Sequence, residues 1–199
     1  MILAPITLRP LSADDIPNLP QIRPTYQSAT ILDVERSGTG IEIGWRLVER
    51  ELPHPFDKGT RYDFDEKTQG EITARLARPD DTYQRVAEHN GRLVGLLDME
   101  IQDWNNTALL WHIMIDLDYR GQGLGRRLWH RALDFARQAE VRAIIVETQN
   151  TNVPACRFYA RMGCQLVGIN ETYYTNDGLQ TEVALFWAYR LSEPRSLGR

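Results

Sequence analysis

The stretch from Leu109 to Thr148 constrains the fold of this chain more than any other part of it. Leu109-Leu110-Trp111-His112-Ile113-Met114-Ile115 is apolar almost throughout instead of alternating, which predicts a central strand covered on both faces. From Gly123 to Glu140 apolar residues return at Leu124, Leu128, Ala132, Phe135, Ala136 and Ala139, the spacing of an amphipathic helix. Ala143–Thr148 reads as a further buried strand. Strand, helix and strand in this order make a βαβ unit. Leu109–Ile115 and Ala143–Thr148 should therefore run parallel, joined by a right-handed crossover.

The link between that first strand and the helix is Arg120-Gly121-Gln122-Gly123-Leu124-Gly125. Backbone N–H groups at a helix N-terminus, together with the helix dipole, form an anion site. Gly121, Gly123 and Gly125 let the backbone approach an oxyanion closely, and Arg120 can add charge-assisted hydrogen bonds. A diphosphate suits such a cradle. The dinucleotide fingerprint fails at Arg126, where glycine would be needed, and no Gly-Lys-Ser/Thr follows for a P-loop. The plain alternative is a glycine-rich turn that only connects strand to helix.

Elsewhere Pro5, Pro10, Pro17, Pro20 and Pro24 leave room for a short strand at Ile6–Arg9 and a broken helical stretch from Asp14. Ile31–Leu52 alternates around Ser37-Gly38-Thr39-Gly40 as a hairpin does. The charged run within Pro53–Arg78 reads as a solvated loop leading into a short helix. Strands at Tyr83–Glu88 and Arg92–Gln102 meet at the turn His89-Asn90-Gly91. A second helix starts at Asn152, a good N-cap, carries Pro154 in its first turn and stops at Gly163. Gln165–Tyr174 and Val183–Leu191 read as two closing strands.

Residues 1–199 are expected to form a single domain, since one core commonly serves roughly 100–200 residues, with the segment at about 30–78 as part of it. The formal charge of −4 argues against broad nucleic-acid binding and leaves room for a cationic small substrate. Cys156 and Cys164 match neither a redox pair nor a zinc knuckle, and His54, His89, His112 and His130 are scattered, so no metal is expected. No segment approaches the ~18 apolar residues of a membrane helix. The expectation is a cytoplasmic protein with no membrane partner, for which a homodimer is one permitted assembly.

The loop resembles that of the GNAT superfamily of acetyl-CoA-dependent N-acetyltransferases, Gln/Arg-x-x-Gly-x-Gly/Ala, here Arg120, Gly123 and Gly125. Asn152-Val153-Pro154-Ala155-Cys156-Arg157-Phe158-Tyr159-Ala160-Arg161-Met162-Gly163 is similar to the superfamily's Asn-x-x-Ala-x-x-x-Tyr-x-x-x-Gly helix. Glu147–Tyr159, Ala184-Leu185-Phe186-Trp187, the Ser28–Pro55 hairpin and Trp104-Asn105 resemble the streptothricin (nourseothricin) acetyltransferases within it. That subfamily commonly carries an acidic pair where this chain has Trp111 and His112.

The resemblance implies an α/β GNAT fold, a mixed and mostly antiparallel sheet with a splayed parallel pair and flanking helices. It implies acetyl-CoA as co-substrate, held by backbone groups of Ile113, Met114 and Ile115, by the loop Arg120, Gly121, Gln122, Gly123, Leu124, Gly125 with Arg126, and by Asn152 and Tyr159. Tyr159 matches the family's general acid; a core tyrosine is the alternative. Asn152 is expected beside the cofactor arm, as the N-cap, or as both.

Acetyl transfer to an amine also needs a proton acceptor. Glu147, at the carboxyl end of its strand, is the first choice and His112 the second. Asp98, Glu100 and Gln102 share a strand face that could attract a cationic substrate, with His112 nearby, although such a face is more often solvated. Both cysteines are read as packing residues. The expected activity is direct acetyl transfer to a primary amine of a small cationic, streptothricin-like substrate. The alternatives are another amine (a polyamine, an amino acid or a protein N-terminus) or a non-catalytic acyl-CoA sensor.

Overall fold

The computed structural model describes residues 5–60, 63–176 and 182–191. In chain order the elements are β1 (Thr7–Pro10), β2 (Gln27–Ser37), β3 (Gly44–Asp57), α1 (Glu66–Leu76), β4 (Thr82–His89), β5 (Arg92–Gln102), β6 (Thr107–Ile115), α2 (Leu124–Gln138), β7 (Ala143–Gln149), α3 (Val153–Arg161), β8 (Gln165–Asn170) and β9 (Ala184–Arg190). They fall into two compact units. The first holds the chain up to Thr25, Thr60–Val146 and the chain from Tyr189; the second holds Tyr26–Gly59 and Glu147–Ala188.

In the first unit β1, β4, β5 and β6 pair antiparallel in that order, and β7 joins β6 in parallel. The β4–β5 turn places Asn90 and Gly91 at φ of 53° and 74°, the left-handed pair that an Asn-Gly hairpin turn requires. α2 buries Leu124, Leu128, Trp129, Ala132, Leu133 and Ala136, the stripe its apolar spacing foretells. Leu11, Leu19, Ile22, Phe64, Ile72, Val86 and Leu96 pack into one core cluster. α1 is capped by Asp65, whose side chain accepts from Thr68 N.

The parallel register of β6 with β7 runs from Thr107↔Ala143 to Leu110↔Val146 and goes no further. β6 continues to Ile115 along β5. This corrects one expectation: only the first half of β6 is covered on both faces. Ala108 and Leu110 are buried, whereas Trp111, the first residue past the last paired position, is 43% exposed.

In the second unit β2 and β3 form a long antiparallel hairpin from Gln27↔Asp57 to Ser37↔Gly44. β3 runs on through Pro53 and Pro55, a stretch the sequence places in a loop. The register shift between Ser28 and Thr30 accommodates them, since a bulge spares prolines the ladder bonds they cannot donate. β8 and β9 pair antiparallel from Gln165↔Ala188 to Asn170↔Ala184. β8 therefore stops four residues short of the expected Tyr174, where turn residues take over.

Candidate active site

In the first unit the chain leaves β6 at Ile115 and enters α2 through the glycine loop. Gly121 and Gly123 sit at φ of 73° and 81°, and a Cβ added at either would meet no atom within 4 Å. Here glycine is demanded by backbone conformation, and the surface beside both residues is open to a ligand. Arg127 N donates to Gly123 O at 3.1 Å, so the N–H groups before it belong to the unpaired first turn of α2. Gln122 Nε2 donates to Asp118 O at 3.0 Å, and Arg126 is exposed at the helix start.

The loop is braced from below by two groups. Arg120 turns its guanidinium inward, donating from Nη1 to Thr25 O at 2.6 Å and from Nε and Nη2 to Ile115 O at 3.2 Å. Its side chain thus ties the start of the loop to the end of β6 and to the segment before β2, where the sequence suggests a direct anion contact. Asp116, which sequence reasoning missed, is fully buried and accepts from Arg23 N and Nε at 3.0 Å and from Arg92 Nη2 at 2.8 Å. Burial alone would raise its pKa, but the Arg23 hydrogen bonds prevail and hold it at about 2. The signal that could have found it is its place as an acidic cap between the apolar strand and the loop.

His112, Asp98 and Glu100 belong to the same unit, and each is committed to neighbours. Asp98, expected on a face that attracts a cationic substrate or else is solvated, is fully buried. Its Oδ2 accepts from Arg75 Nε at 2.9 Å and Nη2 at 2.7 Å, and its Oδ1 from Gln84 Nε2 at 3.0 Å. Glu100 accepts from Arg78 Nη2 at 2.5 Å and from Trp111 Nε1 at 2.8 Å. Burial, reinforced by the Arg75 charge, lowers His112 to about 4, so its imidazole is neutral and weakly basic. Phe64 lies beside it, ring centroids 6.5 Å apart.

The second unit carries the titratable cluster. Glu147 leads the part of β7 that lies in this unit, and its Oε1 accepts a hydrogen bond from the Tyr174 hydroxyl. Burial pushes the Glu147 carboxyl above its usual value, the Tyr174 bond pulls it back in part, and the Glu182 charge adds to the rise. Tyr159 is 5% exposed on α3. Burial, with Cys164, Cys156 and Glu147 nearby, raises its phenol well above the ordinary value, so it stays protonated at neutral pH. Asn152 acts as the N-cap, its Oδ1 accepting from Ala155 N at 3.2 Å, and so fixes the start of the helix that carries Tyr159.

Cys156 and Cys164 are buried free thiols, each pushed up to about 12 chiefly by burial. They are unfit as nucleophiles and serve packing, as the sequence suggests. Sequence reasoning missed Tyr174: it lies 27 residues from Glu147, with no spacing signal to join them. Among the described residues no group of His, Cys, Asp and Glu has the makings of a metal site, and no helix is long and apolar enough to cross a membrane.

A streptothricin acetyltransferase of Escherichia coli is 31% identical over 79% of this chain and 80% of its own length, and one of Streptomyces lavendulae 27% over 81% and 82%. Streptothricin acetyltransferase A of Bacillus subtilis (strain 168) is 34% identical over 88 residues, 44% of this chain and 51% of that protein.

Among solved structures, nourseothricin acetyltransferase superposes with a TM-score of 0.77 at 24% identity, covering 93% of this chain and 98% of that one. A Bacillus anthracis str. Ames protein, classed with the streptothricin acetyltransferases and solved with acetyl coenzyme A, gives 0.74 at 24%, covering 94% and 98%. Both share the α/β fold with its mixed sheet. The acetyltransferase (GNAT) family pattern matches residues 45–164, which include the glycine loop, Glu147 and all of α3, and the chain belongs to that family of enzymes.

Proposed function

We propose that the protein, acting as one catalytic domain, transfers the acetyl group of acetyl-CoA directly to a primary amine of a small cationic, streptothricin-like acceptor. One observation carries this reading: the second unit keeps a half-buried carboxylate of raised pKa, Glu147, in the same cluster as a phenol held protonated, Tyr159. A base and an acid whose environments set them apart are the two proton-handling groups that transfer from a thioester to an ammonium requires.

The loop fits the diphosphate of acetyl-CoA, because Gly121 and Gly123 hold left-handed backbone beside open space at the start of α2. In this reading the backbone from Arg120 to Gly125 and the side chain of Arg126 hold that diphosphate. The backbone of Ile113, Met114 and Ile115 and the side chains of Asn152 and Tyr159 are the further contacts assigned to acetyl-CoA in this reading. Acetyl-CoA supplies an activated thioester. Glu147 accepts the proton that the acceptor ammonium must lose, directly or through water, and Tyr159 donates its hydroxyl proton to the departing thiolate. His112, at about 4, is too weak a base to compete for the first task.

Support for the acceptor class comes from the streptothricin acetyltransferases among the relatives, and for the co-substrate from the neighbour solved with acetyl coenzyme A. The buried, high-pKa thiols of Cys156 and Cys164 favour a ternary complex over a covalent enzyme intermediate. Initial rates measured while both substrates are varied test this. Intersecting reciprocal plots are expected; parallel plots with an isolable acetyl-enzyme that passes its acetyl group on would overturn the mechanism.

A further inference from the structure

The second unit has a half-open cavity of about 480 Å³, within the range of sites that take small molecules. Ile31, Val34, Leu52 and Val183 give it apolar walls, and Asp33 and Glu171 bring two carboxylates to it. Among the described residues no Lys or Arg lines it.

The frame around the cavity is fixed by bonds inside the unit. Asn150 N donates to Val183 O at 2.9 Å, Asn150 Nδ2 donates to Leu32 O at 3.1 Å, and Val183 N donates to Asn150 Oδ1 at 2.9 Å. Thr151 Oγ1 donates to Glu182 Oε1 at 2.9 Å. Asn150 and Thr151 thus use their polar groups structurally, and the carboxylates are left to decide what the cavity accepts.

The two carboxylates differ. Asp33 Oδ2 accepts from Arg50 Nε at 2.7 Å, so its charge is partly offset. Glu171 Oε1 accepts from Trp45 Nε1 at 2.7 Å, a neutral donor that orients the carboxylate and leaves its charge intact. A cleft with apolar walls and an oriented carboxylate at its exposed side suits an ammonium group on a methylene arm: the arm removes apolar surface from water and the carboxylate compensates the charge. Glu171 also precedes by three residues Tyr174, the partner of Glu147, and Asn150 follows Glu147 by three, so the cavity and the proton acceptor share their supporting segments.

We propose that this cavity is a specificity site for a second, non-reacting ammonium group of the acceptor, held by Glu171 with Asp33 in support. The preferred acceptors are then diamines with an aliphatic arm. The inference rests on the reading that the enzyme acetylates amines.

Pentane-1,5-diamine and pentylamine, equal in chain length and differing by one charge, are the probes. Two readouts serve: kcat/KM for acetyl transfer, and calorimetric binding of each amine to the full chain in the presence of CoA. The wild type is expected to favour the diamine by about tenfold or more in both, a preference that falls with salt because the site is partly exposed. Glu171→Gln should erase most of that ratio, Asp33→Asn should reduce it, and Glu51→Gln, outside the cavity lining, should leave it as it was. Equal treatment of the two amines by the wild type, or a ratio unmoved by Glu171→Gln, would overturn the proposal. Failure of acetyl transfer to every amine would refute the functional reading instead, and the binding ratio would still decide the fate of the cavity site.

Discussion

The Tyr174 hydroxyl donates to Glu147 Oε1, bringing together the end of the polar turn after β8 and the carboxyl end of β7, 27 residues apart in the chain. The bond does two things to Glu147. It fixes the orientation of a half-buried carboxylate, and it offsets part of the rise in pKa that desolvation and Glu182 impose. Tyr174 is thus a positioning and tuning residue for the proposed base.

The sign of the pH dependence follows. Glu147 must be unprotonated to accept a proton, and its pKa lies above the ordinary 4.5, so kcat should rise with pH through an ionisation above that value. Glu147→Gln should remove this rising limb and lower kcat by about 10²–10⁴-fold. Tyr174→Phe removes the hydrogen bond that lowers the Glu147 pKa, so the limb should move to higher pH. A limb that stays in place in both variants would show that another group is the base.

Gly123→Ala isolates the loop conformation, because the new Cβ meets nothing within 4 Å and the only penalty is the φ of 81°. Left-handed backbone costs an alanine about 1–2 kcal/mol. The expected result is a Kd for acetyl-CoA raised tenfold or more as the loop relaxes, with a modest loss of thermal stability, read by calorimetry and thermal unfolding. Unchanged acetyl-CoA affinity would dissociate the loop from the diphosphate.

Much of this was legible in the chain because the signals are local. The apolar spacing of Leu124, Leu128, Ala132 and Ala136, the Asn90-Gly91 turn and the Asn152 cap are set by residues within a few positions of one another, and each appears where expected. The glycine loop was legible for the same reason. What escaped depends on distant partners. The pairing of Tyr174 with Glu147 and of Arg75 with Asp98 closes 27 and 23 residues of chain, and no periodicity encodes either. Trp111 lies just past the last residue of β6 that pairs with β7, a limit which the composition of β6 does not specify.

Arg75 and Asp98 form an ion pair whose side chains are 7% and 0% exposed. Removing one partner strands the other in the interior. Arg75→Met should therefore cost about 3–5 kcal/mol, and the double variant Arg75→Met/Asp98→Leu much less. Denaturant unfolding of both variants checks this; equal losses would show that the pair matters by packing alone.

Both thiols are held near 12 and buried, so at pH 8 neither Cys156 nor Cys164 should react with a soluble disulfide reagent on the timescale of minutes, and both should react once the chain is unfolded. Rapid labelling of the native protein would contradict their assignment as packing residues and reopen a covalent route.

The most direct test of the account is incubation with acetyl-CoA and streptothricin, following free thiol and then weighing acceptor and protein by mass spectrometry. The account predicts thiol release matched by acetylation of a primary amine on the acceptor, with the mass of the protein unchanged. Binding of acetyl-CoA with no thiol released, for streptothricin and for a panel of polyamines and amino acids alike, would contradict it.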